Sequence, residues 1–277
     1  MAICRYCGRR AGFFRSQHGE CAEHHKRAIS MIPGFFEKML ASQLSAERFT
    51  ELLQDTAKAS FVKRDELISL CKTSLGNVID SILKERPATI AEGQRIADLT
   101  DTLEAAFSES FGLNEKLVKA SIISELYDGR IPDPISVVGP MPFEFGRGET
   151  ILWIFNHVSA FRVASDKTDG GIQFDATELP KEPYFGPAAL GNAHAPLKGA
   201  NAEGKGDMVL TNRNIHFFLS EEVKSRIPIA RIQSLISYKE AIHVVSNPAR
   251  KKSPMYVLDD AWFAANVIGR LVKMVHR

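Results

Sequence analysis

The chain has 277 residues, 44% of them hydrophobic and 25% charged, a balance that suits a globular protein with room for two or three compact units and excludes a disordered, collagenous or fibrous chain. Its 35 basic and 33 acidic side chains give a formal net charge of +2, so no global excess of positive charge marks a polyanion binder. No apolar run approaches the ~18 to 20 residues of a membrane-spanning helix, and no secretory stretch precedes the first cysteines, which points to a cytoplasmic protein without a transmembrane segment.

Charge is distributed unevenly. Residues 1 to 45 carry seven basic against three acidic side chains, residues 46 to 130 eleven against fifteen, and residues 131 to 277 seventeen against fifteen. A basic head therefore precedes an acidic middle, and such patches either remain solvated or meet a partner of opposite sign.

Three of the four cysteines lie in the first 21 residues, which suits a metal site in a reducing compartment better than a disulfide framework. Cys4-Arg-Tyr-Cys7-Gly8 is a CxxC turn in which two thiolates face one ion while Gly8 permits the bend. The other half of the site comes from His18 with Cys21, or from Cys21 with His24, with His25 a further candidate; either pair occupies one face of an opening helical turn. The preferred set is Cys4, Cys7, His18 and Cys21, with Ala11 to Phe14 as a short hairpin. It resembles a treble-clef or zinc-ribbon finger over residues 1–32, and Zn2+ held by four protein ligands would serve folding rather than chemistry.

The middle of the chain is helical. Ser45 caps a pattern through Phe49, Leu52, Leu53 and Ala57. Leu67, Cys71, Leu75, Val78, Ile79 and Ile82 form a second stripe that Pro87 stops, with Cys71 as core. Thr89-Ile-Ala-Glu92 is a capping box for a third helix through Ile96, Leu99, Leu103 and Phe107, closed by Gly112. Asn114 caps a fourth, with Leu113 and Val118 as a staple and Gly129 and Pro132 at its end. Short links make residues 33–132 a helical bundle.

After Pro140-Met-Pro142 the texture turns β-branched and aromatic. Strands are expected over 150–158, 160–163, 208–211, 214–219, 226–229, 232–237, 242–246 and 255–258, followed by a helix that Asp259 and Asp260 cap and that carries Trp262 and Phe263. Many short strands closed by one helix imply an antiparallel β-roll plugged by Trp262 and Phe263, and an α+β multidomain chain overall. Ser165 to Lys205, rich in Gly, Pro and Ala, stands out as a long insertion at 165–205.

Three stretches make the roll specific: Gly206-Asp-Met-Val-Leu-Thr-Asn-Arg-Asn-Ile-His-Phe-Phe218, Lys224-Ser-Arg-Ile-Pro-Ile-Ala-Arg-Ile232 and Trp262-Phe-Ala-Ala-Asn266, with Glu149 leading into the strand that holds Trp153. Residues 140–277 resemble bacterial pleckstrin-homology-like or GRAM-like domains, and the bundle more loosely resembles tellurite-resistance-type helical domains. The resemblance implies a binding or scaffold role toward a protein partner or a homo-oligomer.

Catalytic signatures of the GxSxG, P-loop, Rossmann and HExxH types are absent. His157, His194, His216 and His243 read as wall or surface residues and Asp166, Asp169 and Asp175 as solvated turns, so no catalytic residue is assigned. Arg250-Lys251-Lys252 offers a weak patch for an anionic lipid. Arg5, Arg9, Arg10, Arg15, Lys26 and Arg27 would neutralise phosphates if the head met nucleic acid, the alternative reading.

Overall fold

A computed structural model describes residues 2–12, 15–42, 44–137, 144–164, 170–175, 193–220, 222–247 and 251–276. The chain is α+β and divides into two compact units, Met1–Ile82 with Thr89–Val118, and Leu83–Ala88 with Lys119–Arg277. No helix among the described residues is long and apolar enough to cross a membrane.

The first unit opens with β1 (Ala2–Ile3) and β2 (Arg10–Gly12), an antiparallel pair. The CxxC turn joins these strands and Ala11 belongs to β2, while residues 13–14 of the expected hairpin over 11–14 lie outside the described residues. Helices α1 (Gly19–Ala41), α2 (Ala46–Ala59), α3 (Arg64–Glu85), α4 (Ile90–Phe107) and α5 (Asn114–Tyr127) follow, with α3 from Leu83 and α5 from Lys119 counted in the second unit. α1 runs unbroken through Pro33, which offers no N–H to the carbonyl of Ile29. The expected edge between finger and bundle at 32/33 thus falls inside a helix. Apolar stripes face inward as their spacing requires: Ile32 and Phe36 on α1, Phe49 and Leu53 on α2, Leu99 and Leu103 on α4. Phe36 meets Phe49 edge-on at 5.1 Å between ring centroids.

The helix ends obey local chemistry. Ser45 accepts the Arg48 N–H, and Thr89 and Glu92 form the reciprocal capping box. Three helices end in Schellman turns. Val62 donates to Ala57, Glu109 to Glu104 and Arg130 to Glu125, with Phe61, Ser108 and Gly129 at positive φ. α4 accordingly stops at Ser108 rather than at Gly112. Of the staple pair that the sequence predicts at the start of α5, Leu113 is buried and Val118 is 40% exposed.

The second unit holds an antiparallel sheet in the order β4-β8-β9-β10-β3-β5-β6-β7. Its strands are β3 (Ile151–Ala164), β4 (Ile172–Asp175), β5 (Asn201–Thr211), β6 (Asn214–Leu219), β7 (Glu222–Pro228), β8 (Ser234–Ser237), β9 (Ala241–Val245) and β10 (Lys252–Val257), with a 3-10 turn at Ile229–Arg231 and a closing helix α6 (Ala261–Val275). β3 is one strand with a bulge at His157 (φ 60) instead of two. β5 begins at Asn201, so the stretch expected as an insertion over 165–205 contributes β4 and the start of β5. Its residues 165–169 and 176–192 lie outside the described set.

The sheet is curled. β7 and β10 are four strand steps apart, roughly 19 Å in a flat sheet at ~4.8 Å per step. Yet Ser225 Oγ and Tyr256 Oη lie 3.0 Å apart and the rings of Phe217 and Tyr256 are 5.6 Å apart. Gly206 marks a tight crossing of β5 and β6, where a Cβ would lie 1.9 Å from the Phe218 carbonyl oxygen.

α6 fills the curl. Phe263 is fully buried against Trp153 (5.2 Å) and Phe155 (6.1 Å), whereas Trp262 is only partly buried, so the expected plug of two aromatics is carried chiefly by Phe263. Asp260 sits at the N-cap position, but its carboxylate accepts from Lys119 instead of capping the helix. Ile122, Ile123 and Leu126 of α5 join the same core. Arg270 donates to the carbonyls of Leu126 (3.0 Å) and Tyr127 (2.7 Å), and Tyr127 donates to Asn266 (3.0 Å). The end of α5 therefore belongs with the sheet, not with the bundle that the sequence closes at residue 132.

A fragment beginning at residue 114 should melt well above one beginning at residue 140. Phe263→Ala in the longer fragment should cost about 3 to 5 kcal/mol. Equal melting of the two fragments by circular dichroism would contradict the role of α5.

Candidate metal centre

The CxxC loop is closed by its own backbone. Cys4 donates its N–H to Arg9 (2.7 Å), Gly8 donates to Cys4 (2.9 Å) with φ at 70°, and Arg5 donates to Ser16 (3.0 Å), which draws the segment before α1 alongside the loop. His18 occupies the N-cap position of α1 and Cys21 lies one turn in. The ligand atoms of Cys4, Cys7, His18 and Cys21 all lie within 4.8 Å of one another, a cluster that can hold a metal ion.

The histidine is fixed by a second contact. A carbonyl can only accept, so the 2.9 Å contact to Arg10 makes His18 Nε2–H the donor. The Nδ1 lone pair then faces the Cys7 sulfur at 3.3 Å and the Cys21 sulfur at 3.7 Å, the usual way an outer carbonyl sets the tautomer of a ligating imidazole. The two alternatives point elsewhere. His24 is exposed, and His25 sits 2.9 Å from Glu66 with its ring 4.7 Å from Tyr6.

The thiols are unequal. Burial pushes the Cys4 thiol up, but the backbone N–H groups of Cys7, His18 and Tyr6 aimed at the sulfur outweigh it and lower the pKa to about 6. Cys21 is pushed up to about 11 by burial and by the neighbouring Cys7 sulfur. His18 is raised, first by its bond to Arg10 and then by Cys7. At neutral pH one thiolate is ready and another thiol must lose its proton to the incoming ion. Cys71, by contrast, is wholly buried in α3 and pushed up to about 12, a core residue as its spacing implied.

The remaining histidines have structural surroundings. His216 lies 2.9 Å from Glu149, whose Oε1 also accepts from Thr211 (2.8 Å) and Asn214 (2.7 Å) while Oε2 accepts from Gly146 (2.9 Å). This buried carboxylate ties the Gly146–Glu149 turn to the β5–β6 hairpin. Burial pushes Glu149 up, but bonds from His216, Asn214, Gly146 and Thr211 prevail and hold it at about 2. His243 contacts Ser253 within the sheet, His194 pairs with Glu240 at 3.1 Å, and His157 is exposed on the bulge. Asp166, Asp169 and Arg250 lie outside the described residues, while Lys251 and Lys252 are exposed. Compared with protein-family models, curated proteins and solved structures, the chain finds no match.

Cys4→Ser, Cys7→Ser and His18→Ala should each release bound metal, and His24→Ala should not; metal analysis showing the reverse for the two histidines would overturn the ligand set. Because the metal competes with protons, affinity measured against a coloured chelator should fall as pH falls through neutrality, with proton release on binding. A pH-independent affinity there would contradict this.

Glu149 carries a second pH dependence. Its folded pKa lies below the unfolded ~4.3, so its contribution is present above that value and is lost as pH falls toward about 2. Glu149→Gln should lower the melting temperature at neutral pH and flatten its decline between pH ~5 and ~2. Parallel melting curves for the two proteins across that window would refute the assignment.

Proposed function

We propose that the chain is a noncatalytic binding or scaffold protein whose head is stapled by one structural zinc ion. Its second unit is a pleckstrin-homology-like roll that meets a protein partner or another copy of the chain. The donor set carries the reading. Three sulfurs and one imidazole supply all four positions of a tetrahedral ion, which leaves none for water or substrate. Zinc bonds of ~2.3 Å to sulfur and ~2.0 Å to nitrogen at a tetrahedral angle place the two donors ~3.5 Å apart, and the Cys7 and Cys21 sulfurs lie 3.3 and 3.7 Å from His18 Nδ1. Bound there, zinc supplies folding free energy.

The strand order supports the roll: a meander of β3, β5, β6 and β7, a second run of β8, β9 and β10, and then α6. β4 is an added edge strand outside the minimal pattern. Fold decides no partner by itself, and a metal site with no open position leaves contact rather than chemistry as the role. A second reading rests on Arg5, Arg9, Arg10, Arg15, Lys26 and Arg27, all exposed on the head, which suits phosphate neutralisation along a nucleic acid.

The test is light scattering and affinity capture with the full chain, alongside titration with a short DNA duplex at physiological salt. The expected result is a stoichiometric protein partner or self-association without duplex binding. Duplex binding that weakens steeply with salt and disappears in Arg9→Glu with Arg10→Glu would replace the first reading by the second.

A further inference from the structure

Where the curl brings β7 toward β10 it leaves an open cavity of about 540 Å3 lined by Arg162, Arg226, Arg231, Ser225, Gln233 and Asn247, among other residues. That volume lies within the ~300 to 1,000 Å3 usual for small-molecule sites. Three guanidinium groups contribute to its wall, and among the described residues no carboxylate does. They arrive from different parts of the fold: Arg162 from the end of β3, Arg226 from β7 and Arg231 from the 3-10 turn.

Two of the three cations meet carboxylates outside the wall, and these contacts offset part of their charge. Arg162 is held by Glu203 at 2.8 Å, with both side chains 30% exposed. Arg226 lies 3.6 Å from the buried Glu149, whose oxygens already accept from His216, Asn214, Thr211 and Gly146. No ion pair is present at Arg231 among the described residues, and it is exposed. The wall therefore keeps an excess of one cation, centred on Arg231, and its donors are forked guanidiniums with two serine hydroxyls and two side-chain amides beside them.

We propose that this cavity binds a phosphate-bearing ligand, its phosphate gripped by Arg226 and Arg231 while Arg162, Ser225, Gln233 and Asn247 line the remaining space. Guanidinium groups suit this task because their planar N–H pairs match two phosphate oxygens at once. The volume leaves room for an organic group beyond the phosphate, so the ligand is a phosphorylated small molecule or a phosphorylated lipid headgroup. The site depends neither on the metal-bearing head nor on the partner reading, and the experiment below can fail without affecting either.

The full-length protein is titrated calorimetrically with inorganic pyrophosphate and sedimented with phosphatidylcholine vesicles containing a phosphoinositide. The expected result is one pyrophosphate site per chain, weakened at least tenfold by Arg231→Gln and by Arg226→Gln. Lys224→Gln on the same strand but outside the cavity should leave it unchanged. Arg231→Gln guards the test against a folding defect, since Arg231 is exposed and its variant should melt like the parent. Arginine-dependent binding to vesicles alone assigns the phosphate to a lipid, and arginine-dependent binding to pyrophosphate alone assigns it to a soluble ligand. Absence of binding to both probes, or equal binding by the parent and the two arginine variants, overturns the proposal.

Discussion

A short hairpin at the start of a chain has almost nothing apolar to fold around. Among the described residues before His18, only Cys4 and Ala11 are buried hydrophobics, far too little to offset the backbone entropy of ordering a loop at ~1 to 2 kcal/mol per residue. The convergence of three thiols and an imidazole takes the place of that core. It also explains the economy of the local sequence. Gly8 turns the loop, the Arg10 carbonyl orients the His18 ring, and the first turn of α1 presents His18 and Cys21 together.

The second unit solves the opposite problem, a large apolar surface that has to be closed. β3 to β10 curl around Leu152, Phe155, Phe217 and Tyr256, and α6 seals them with Phe263 and Leu271. Two charged groups inside the closure are held by partners. Lys119 meets Asp260 and lies over the rings of Trp153 (5.1 Å) and Phe263 (5.7 Å), and Glu149 gathers four donors at the hairpin. The curl that makes this core also brings arginines from β3 and β7 to a common wall. Packing and the proposed phosphate site thus have one geometric cause.

Features written within a few residues of one another were legible in the sequence: the Ser45 cap and the Thr89–Glu92 capping box, the helical stripes, the CxxC turn, strand β6 and the closing helix. His18 emerged over His24 and His25 because a ligand at the N-cap faces back toward the loop, while the next two histidines lie further round the helix. Long-range features were not legible. That Pro33 lies inside α1, that α5 ends in the core of the sheet, and that β4 pairs with β8 all depend on tertiary contacts that override local preference. The arginine wall left no local signal, since its members are 64 and 5 residues apart in the chain. Glu149 stood out only through its place before the Trp153 strand, and its four partners follow from the pairing of β5 with β6.

Under the proposed function, one metal ion staples the head and the curled sheet with its closing helix supplies a surface for contact. The central claim is that the metal site is closed by protein. X-ray absorption at the zinc edge of the purified full-length protein tests this most directly. The account predicts three sulfur neighbours at ~2.3 Å and one nitrogen at ~2.0 Å, with no further light atom in the first shell. A shell containing oxygen, or a protein that carries no zinc, would contradict it.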